Sequence, residues 1–168
     1  RHCARTTIAP TGTIAIAAGL QGGGIEPFFA IAYTRYNARA LEAIKKGEPA
    51  ADRDCFFEVN PLFKETAAKH GFFGLKETEL WKRISDNHKS VRGLPEIPEA
   101  VQRLFPSAHD VSIDFHVKIQ AAFQKHTDNG VSKTINMPGQ ATADDVRRAY
   151  KLAYDLGCKG ITIYRDGS

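Results

Sequence analysis

The order strand, helix, strand in the second half of the chain constrains the fold more than any other feature. Val131 to Met137 reads as a strand that Pro138-Gly139 ends. Thr142 and Asp145 form a capping box at the start of a helix. Val146, Ala149, Tyr150 and Ala153 line one face of that helix, Gly157 closes it, and Ile161 to Tyr164 is the last strand. This is the βαβ order of an α/β fold.

The first half is more broken. Thr6 to Ala9 reads as a buried strand, and the apolar run Thr13 to Ala18 fits strand or helix equally. Between them lies Pro10-Thr11-Gly12. Gln21 to Gly24 is a glycine-rich break, Phe28 to Tyr36 is extended or mixed, and Ala38 to Lys46 is helical. Lys45 to Arg53 reads as a polar loop. Asn60-Pro61 starts a helix, with Asn as cap and Pro at the first position, that stops near Gly71. Thr78 to Asn87 is a helix burying Leu80, Trp81 and Ile84; Pro95 and Pro98 precede a short one from Glu99 to Phe105. From Asp110 to His126 the stripe Phe115, Ile119, Ala122 and Phe123 marks the clearest helix.

Length allows one domain with a core of its own. The net charge of +4 suits an anionic ligand but lacks the clustered basicity of a nucleic-acid binder. No apolar run approaches the ~20 residues of a membrane-spanning helix, and no signal peptide opens the chain. Three scattered cysteines, Cys3, Cys55 and Cys158, form no CxxC pair, so a reducing cytoplasm is expected. Arg1 and Ser168 do not read as natural termini, and the expectation is a piece of a longer polypeptide.

The turn at Pro10, Thr11, Gly12, Thr13 and Ile14 supports two local readings. Gly12 lets a ligand approach the backbone, Thr11 and Thr13 offer hydroxyl donors, and a helix starting near Thr13 would aim free N–H groups at the same place, which favours phosphate. The same residues also make an ordinary tight turn with a threonine cap.

Six segments occur in order: APTGTI; GGGIEPFFA with Tyr33 and Arg35; VNPLF; FHVKIQAAFQ; GVSKTINMP; and GCKGITIYRDGS. Together they resemble the C-terminal part of the catalytic barrel of adenosylcobalamin-dependent (class II) ribonucleotide reductases, from about Thr6 to Ser168. Class I reductases are the nearest relatives of that type and carry Ala and Ser where this chain has Gly12 and Thr13. The chain departs from the family at Gly22 and Gly23, where serines are common, and at Lys89-Ser90-Val91, where Gly-Ser-Val is common. By the resemblance, the first departure is expected to remove hydroxyl contacts near the ligand; the second changes only a loop.

The resemblance implies a partial catalytic barrel over residues 1–168, the C-terminal portion of a ten-stranded α/β barrel. It implies that Pro10, Thr11, Gly12, Thr13 and Ile14 hold the phosphates of a ribonucleoside diphosphate. The implied reaction replaces the ribose 2′-hydroxyl with hydrogen, with adenosylcobalamin (vitamin B12) generating a cysteine thiyl radical. A thioredoxin or glutaredoxin-type reductant and the remaining barrel are the implied partners, with no membrane or nucleic acid. The family's radical cysteine sits in an Asn-x-Cys-x-Glu loop. Cys3 precedes Ala4-Arg5, Cys55 precedes Phe56-Phe57 and Cys158 precedes Lys159-Gly160, so none matches and no catalytic residue is expected here.

Other candidates have bland readings beside the functional ones. Glu26 could act on a ribose or order its loop. His116 beside Gln120 reads as packed or superficial, and no histidine spacing suggests a metal site. Cys158 reads as a small buried hydrophobe. Tyr164 and Arg165 end a strand and either pack or face a ligand. Lys133, in the strand Ser132 to Asn136, either balances a phosphate or cofactor charge or is solvated. Two alternatives stand beside the reductase: a non-catalytic nucleotide-binding remnant, and a class I fragment.

Overall fold

The computed structural model describes residues 2–166. Its elements run α1 (Gly12–Ala17), β1 (Ala32–Tyr36), α2 (Ala38–Lys45), β2 (Cys55–Val59), α3 (Pro61–Lys69) and α4 (Glu77–Asp86). They continue with α5 (Glu99–Leu104), α6 (Ile113–Gln124), β3 (Thr134–Met137), α7 (Ala143–Asp155) and β4 (Thr162–Arg165). Arg1, Gly167 and Ser168 lie outside the described residues, as do the side chains of Asp52 and Cys55. The chain divides into two compact units, residues 1–29 with 108–168, and residues 30–107.

The first unit contains the expected βαβ element. β3 and β4 pair in parallel, with Ile135 opposite Ile163, and α7 connects them. The Thr142 hydroxyl and Asp145 carboxylate close a capping box at its start, and Gly157, at φ +76°, takes the left-handed conformation that ends it. Val117, Ile135, Met137, Ala149 and Ala153 form the buried cluster, with Ile113, Val146, Leu152, Cys158, Ile161 and Ile163 packed against it. Tyr150 is half exposed rather than part of that face. Two alanines let the helix lie close to the sheet, and Leu152, on the flank opposite Tyr150, packs against the cluster.

Thr6 to Ala9 is not a full buried strand. Ile8 forms a single parallel bridge with Val131, while Thr6, Thr7 and Ala9 are exposed. Pro10 has no N–H to extend the pairing. The segment is held mainly at its start, where the Asp128 carboxylate accepts from the N–H of Arg5 and Thr6 and the Asp128 N–H donates to the Thr6 hydroxyl.

α6 presents the opposite face from the one its apolar periodicity suggested. His116, Val117, Gln120, Ala121 and Gln124 are buried, whereas Phe115 and Phe123 are 56% and 45% exposed. The reason is hydrogen-bond demand. Loops that enter and leave the strands carry buried carbonyls, and side chains spaced four apart meet them. The Gln120 amide donates to the carbonyls of Val131 and Gly160, and the Gln124 amide to those of Thr127 and Asn129. His116 Nε2 lies 2.9 Å from the Ala108 carbonyl and Nδ1 lies 2.8 Å from the Lys133 ammonium. An ammonium only donates, so Nδ1 accepts and the ring proton sits on Nε2.

The second unit holds β1 and β2, an antiparallel pair with Tyr33 opposite Glu58. β2 follows closely on the expected polar loop, where the sequence reading assigns no element. Asn60 caps α3 by accepting from the Phe63 N–H at 3.0 Å, with Pro61 at the first helical position, as the sequence indicated. Phe63 is the hub of this unit's core, edge-on to Trp81 and Phe105, with Leu80 and Ile84 also buried. The Tyr33 hydroxyl donates to Glu58 at 2.6 Å, and burial together with that carboxylate pushes its pKa up to about 12.

Two outcomes follow for α6. Gln124→Leu keeps the volume but strips two carbonyls of their donor, and urea unfolding should register a destabilisation of about 1–3 kcal/mol. Burial and the neighbouring Lys133 ammonium, with a smaller push from His109 and opposed by the Ala108 carbonyl and Glu26, hold His116 down at about 4. In the unfolded chain it titrates near ~6.5, so between those values the unfolded state binds more protons. Stability is therefore full above about pH 6.5 and falls as pH drops towards about 4, by up to about 3 kcal/mol. Urea midpoints across this range should show that slope in the native chain and a flatter one in His116→Gln.

Candidate substrate-phosphate turn

The turn begins where Pro10 ends the pairing of the first segment. Thr11 sits at φ +53°, ψ +24°, a left-handed conformation that β-branched residues rarely adopt. Its hydroxyl oxygen accepts from the Gly24 N–H at 2.7 Å, and its carbonyl accepts from Ala15 N–H to open α1. The helix therefore starts at Gly12, and Thr13 to Ala18, ambiguous in sequence, is helical from Thr13 through Ala17.

Among the described residues no hydrogen bond engages the N–H of Gly12, Thr13 or Ile14. These are the first-turn amides that a helix cannot satisfy internally. A Cβ placed on Gly12 would meet nothing within 4 Å, so the space beside it is open. Thr13 is exposed and Ile14 is 71% exposed. Three amides thus stand at one open helix end beside the exposed Thr13; the Thr11 hydroxyl lies against the Gly24 N–H and still has its own proton to donate. Chemically, this end can accept an anion.

A glycine strap closes over the other side of the turn. A Cβ on Gly23 would overlap the Pro10 carbonyl oxygen, and one on Gly24, itself at φ +56°, would come within 2.8 Å of the Ala9 carbonyl oxygen. The strap leads into Glu26, whose two carboxylate oxygens are both engaged. Oε2 lies 2.6 Å from the Lys133 ammonium and Oε1 accepts from the Thr134 N–H. Glu26 orders its loop.

Lys133 is not the solvated lysine that one reading of the sequence offered. Its side chain is fully buried, and its ammonium donates to Glu26, to His116 Nδ1 and to the Thr134 carbonyl. Its three N–H groups are all engaged by protein acceptors. Burial lowers its pKa, and the Glu26 carboxylate opposes that shift. The signal in the sequence was a lone lysine inside the apolar run of VSKTINM; its partner, 107 positions away, was not visible.

The remaining candidates are placed plainly. Tyr164 is edge-on to Phe29, with ring centroids 6.4 Å apart, and is 38% exposed. Arg165, the last residue of β4, is exposed. Cys158 is partly buried against the core, which raises its thiol pKa, and Cys3 is exposed. Among the described residues no three His, Cys, Asp or Glu side chains stand close enough to hold a metal ion. Among the same residues no helix is long and apolar enough to cross a membrane.

Comparison with known proteins gives the lineage of the chain. The family model described as "Ribonucleotide reductase, barrel domain" matches residues 1–164. A protein of Thermoplasma acidophilum named vitamin B12-dependent ribonucleoside-diphosphate reductase is 42% identical over 170 residues, covering 100% of this chain and 19% of that protein. A protein of the same name from Mycobacterium tuberculosis is 41% identical, covering 100% of this chain and 22% of its own. The chain thus spans about a fifth of the length of these relatives. Among solved structures, the Actinobacillus ureae class Id ribonucleotide reductase alpha subunit superposes with a TM-score of 0.67 at 21% identity, covering 95% of this chain and 25% of that one. That likeness speaks for the fold, and the family match with the 42% identity speaks for the lineage: the chain belongs to the ribonucleotide reductase barrel domain family.

Proposed function

We propose that residues 1–168 form a partial catalytic barrel of a vitamin B12-dependent ribonucleoside-diphosphate reductase, and that the turn Pro10-Thr11-Gly12-Thr13-Ile14 holds the substrate's phosphates. The observation that carries this reading is the set of unengaged N–H groups at Gly12, Thr13 and Ile14 beside open space. Phosphate oxygens accept from those amides and from the two threonine hydroxyls. Fixing the diphosphate end sets where the ribose lies, and that placement is this segment's share of the reaction. The relatives' printed names support a diphosphate substrate and a B12 cofactor.

Adenosylcobalamin supplies the radical that starts the family's chemistry. Its cobalt arrives inside its own macrocycle, and the described residues offer no side-chain cluster for a metal. The radical cysteine, the electron-supplying pair, the remaining barrel and the thioredoxin or glutaredoxin-type reductant belong to the rest of the enzyme in this reading, and the compartment is the cytoplasm.

In the complete reductase, Thr11→Val with Thr13→Val should weaken nucleoside diphosphate binding by about 1–2 kcal/mol for each hydroxyl removed. Calorimetric titration reads the change, with the phosphate-free nucleoside as a control that should not move. Unchanged diphosphate affinity would overturn the assignment. The 168-residue chain alone should form no deoxynucleotide by chromatography, whereas the complete enzyme should require added adenosylcobalamin. Turnover without cobalamin would favour the class I alternative.

A further inference from the structure

We propose that Lys133 is a positioning residue for the phosphate turn, acting through Glu26 and the glycine strap; this rests on the phosphate reading above. A chain of hydrogen bonds and close approaches forms the path. The buried ammonium holds Glu26 Oε2 at 2.6 Å, and the Thr134 N–H holds Oε1, so the carboxylate has no freedom to rotate. The Glu26 N–H donates to the Gly23 carbonyl at 3.1 Å, which folds the strap back on itself. Gly23 and Gly24 then lie against the carbonyls of Pro10 and Ala9, and the Gly24 N–H reaches the Thr11 hydroxyl at 2.7 Å. That last bond holds Thr11 in its left-handed conformation, and Thr11 in turn sets the direction in which the Gly12, Thr13 and Ile14 amides point.

The arrangement has the features of a device for placement rather than for ligand binding. A lysine reaching an anion directly would sit at the open helix end, yet this one is 2% exposed and its ammonium is held by protein groups. Replacing both members of a buried ion pair by neutral groups commonly leaves a protein folded, whereas removing one strands a charge. The double variant Lys133→Met with Glu26→Gln therefore separates placement from folding.

Steady-state kinetics of the complete reductase provides the first test. The double variant should raise KM for the nucleoside diphosphate about tenfold with kcat little changed, because a loosened turn weakens ground and transition states alike. Inhibition by the phosphate-free nucleoside should stay as in the native enzyme. A folded double variant with native KM would overturn the inference. The native enzyme provides the second test, which depends on no substitution. Inorganic pyrophosphate should slow hydrogen exchange at the Gly24 and Thr134 amides together, since coupling between the two ends of the path is reciprocal. Slowing at Gly24 alone would overturn the inference. The single variant Thr13→Val monitors the underlying reading. If it leaves diphosphate KM unchanged, the turn does not hold phosphate and this inference falls with it; a raised KM there beside a native KM in the double variant removes Lys133's role alone.

Discussion

A buried ammonium organises the first unit. Lys133 can lie out of water because three acceptors surround it: a carboxylate from the loop after the strap, an imidazole nitrogen from α6 and its neighbour's carbonyl. A lone buried charge would cost several kcal/mol, so the lysine stays out of water only with these acceptors around it. The requirement joins parts of the chain that hydrophobic burial alone would leave loosely related: residue 26, residue 116 and the entry to β3. It also fixes the tautomer of His116, and with it the bond to Ala108 that anchors the approach to α6.

The same logic governs the rest of α6. Gln120 and Gln124 continue the line of His116 at four-residue spacing, and each delivers an amide to two carbonyls in the loops beside the strands. Parallel strands joined by helices need such loops at both ends, and their backbone groups have to be satisfied away from the ladder. A helix that supplies the donors can turn its aromatic residues outward, which explains why Phe115 and Phe123 are more exposed than the polar residues next to them.

Local chemistry was legible in the sequence, and long-range pairing was not. The Asn60-Pro61 start of α3, the Thr142–Asp145 box of α7 and the glycine at 157 each announce themselves within five residues, because capping is decided by groups a turn apart. The orientation of α6 was misread because periodicity reports where apolar side chains recur, while the buried face was decided by carbonyls up to 40 positions away. β2 escaped notice because it is five residues long and its partner lies beyond a helix and a loop. For the site, the turn was visible as a motif. The conformation of Thr11, the strap over it and the Glu26–Lys133 pair depend on interactions that no window of the sequence contains.

Two glycines near the turn meet opposite surroundings. Beside Gly12 there is room, which the alanine of the class I reductases fits; beside Gly23 the chain's own carbonyl already occupies the volume. The serine common in the family at Gly23 therefore needs the strap to stand farther from Pro10 than it does in this chain. Glycine at 23 thus lets the strap close more tightly over the turn than a side chain at that position would allow.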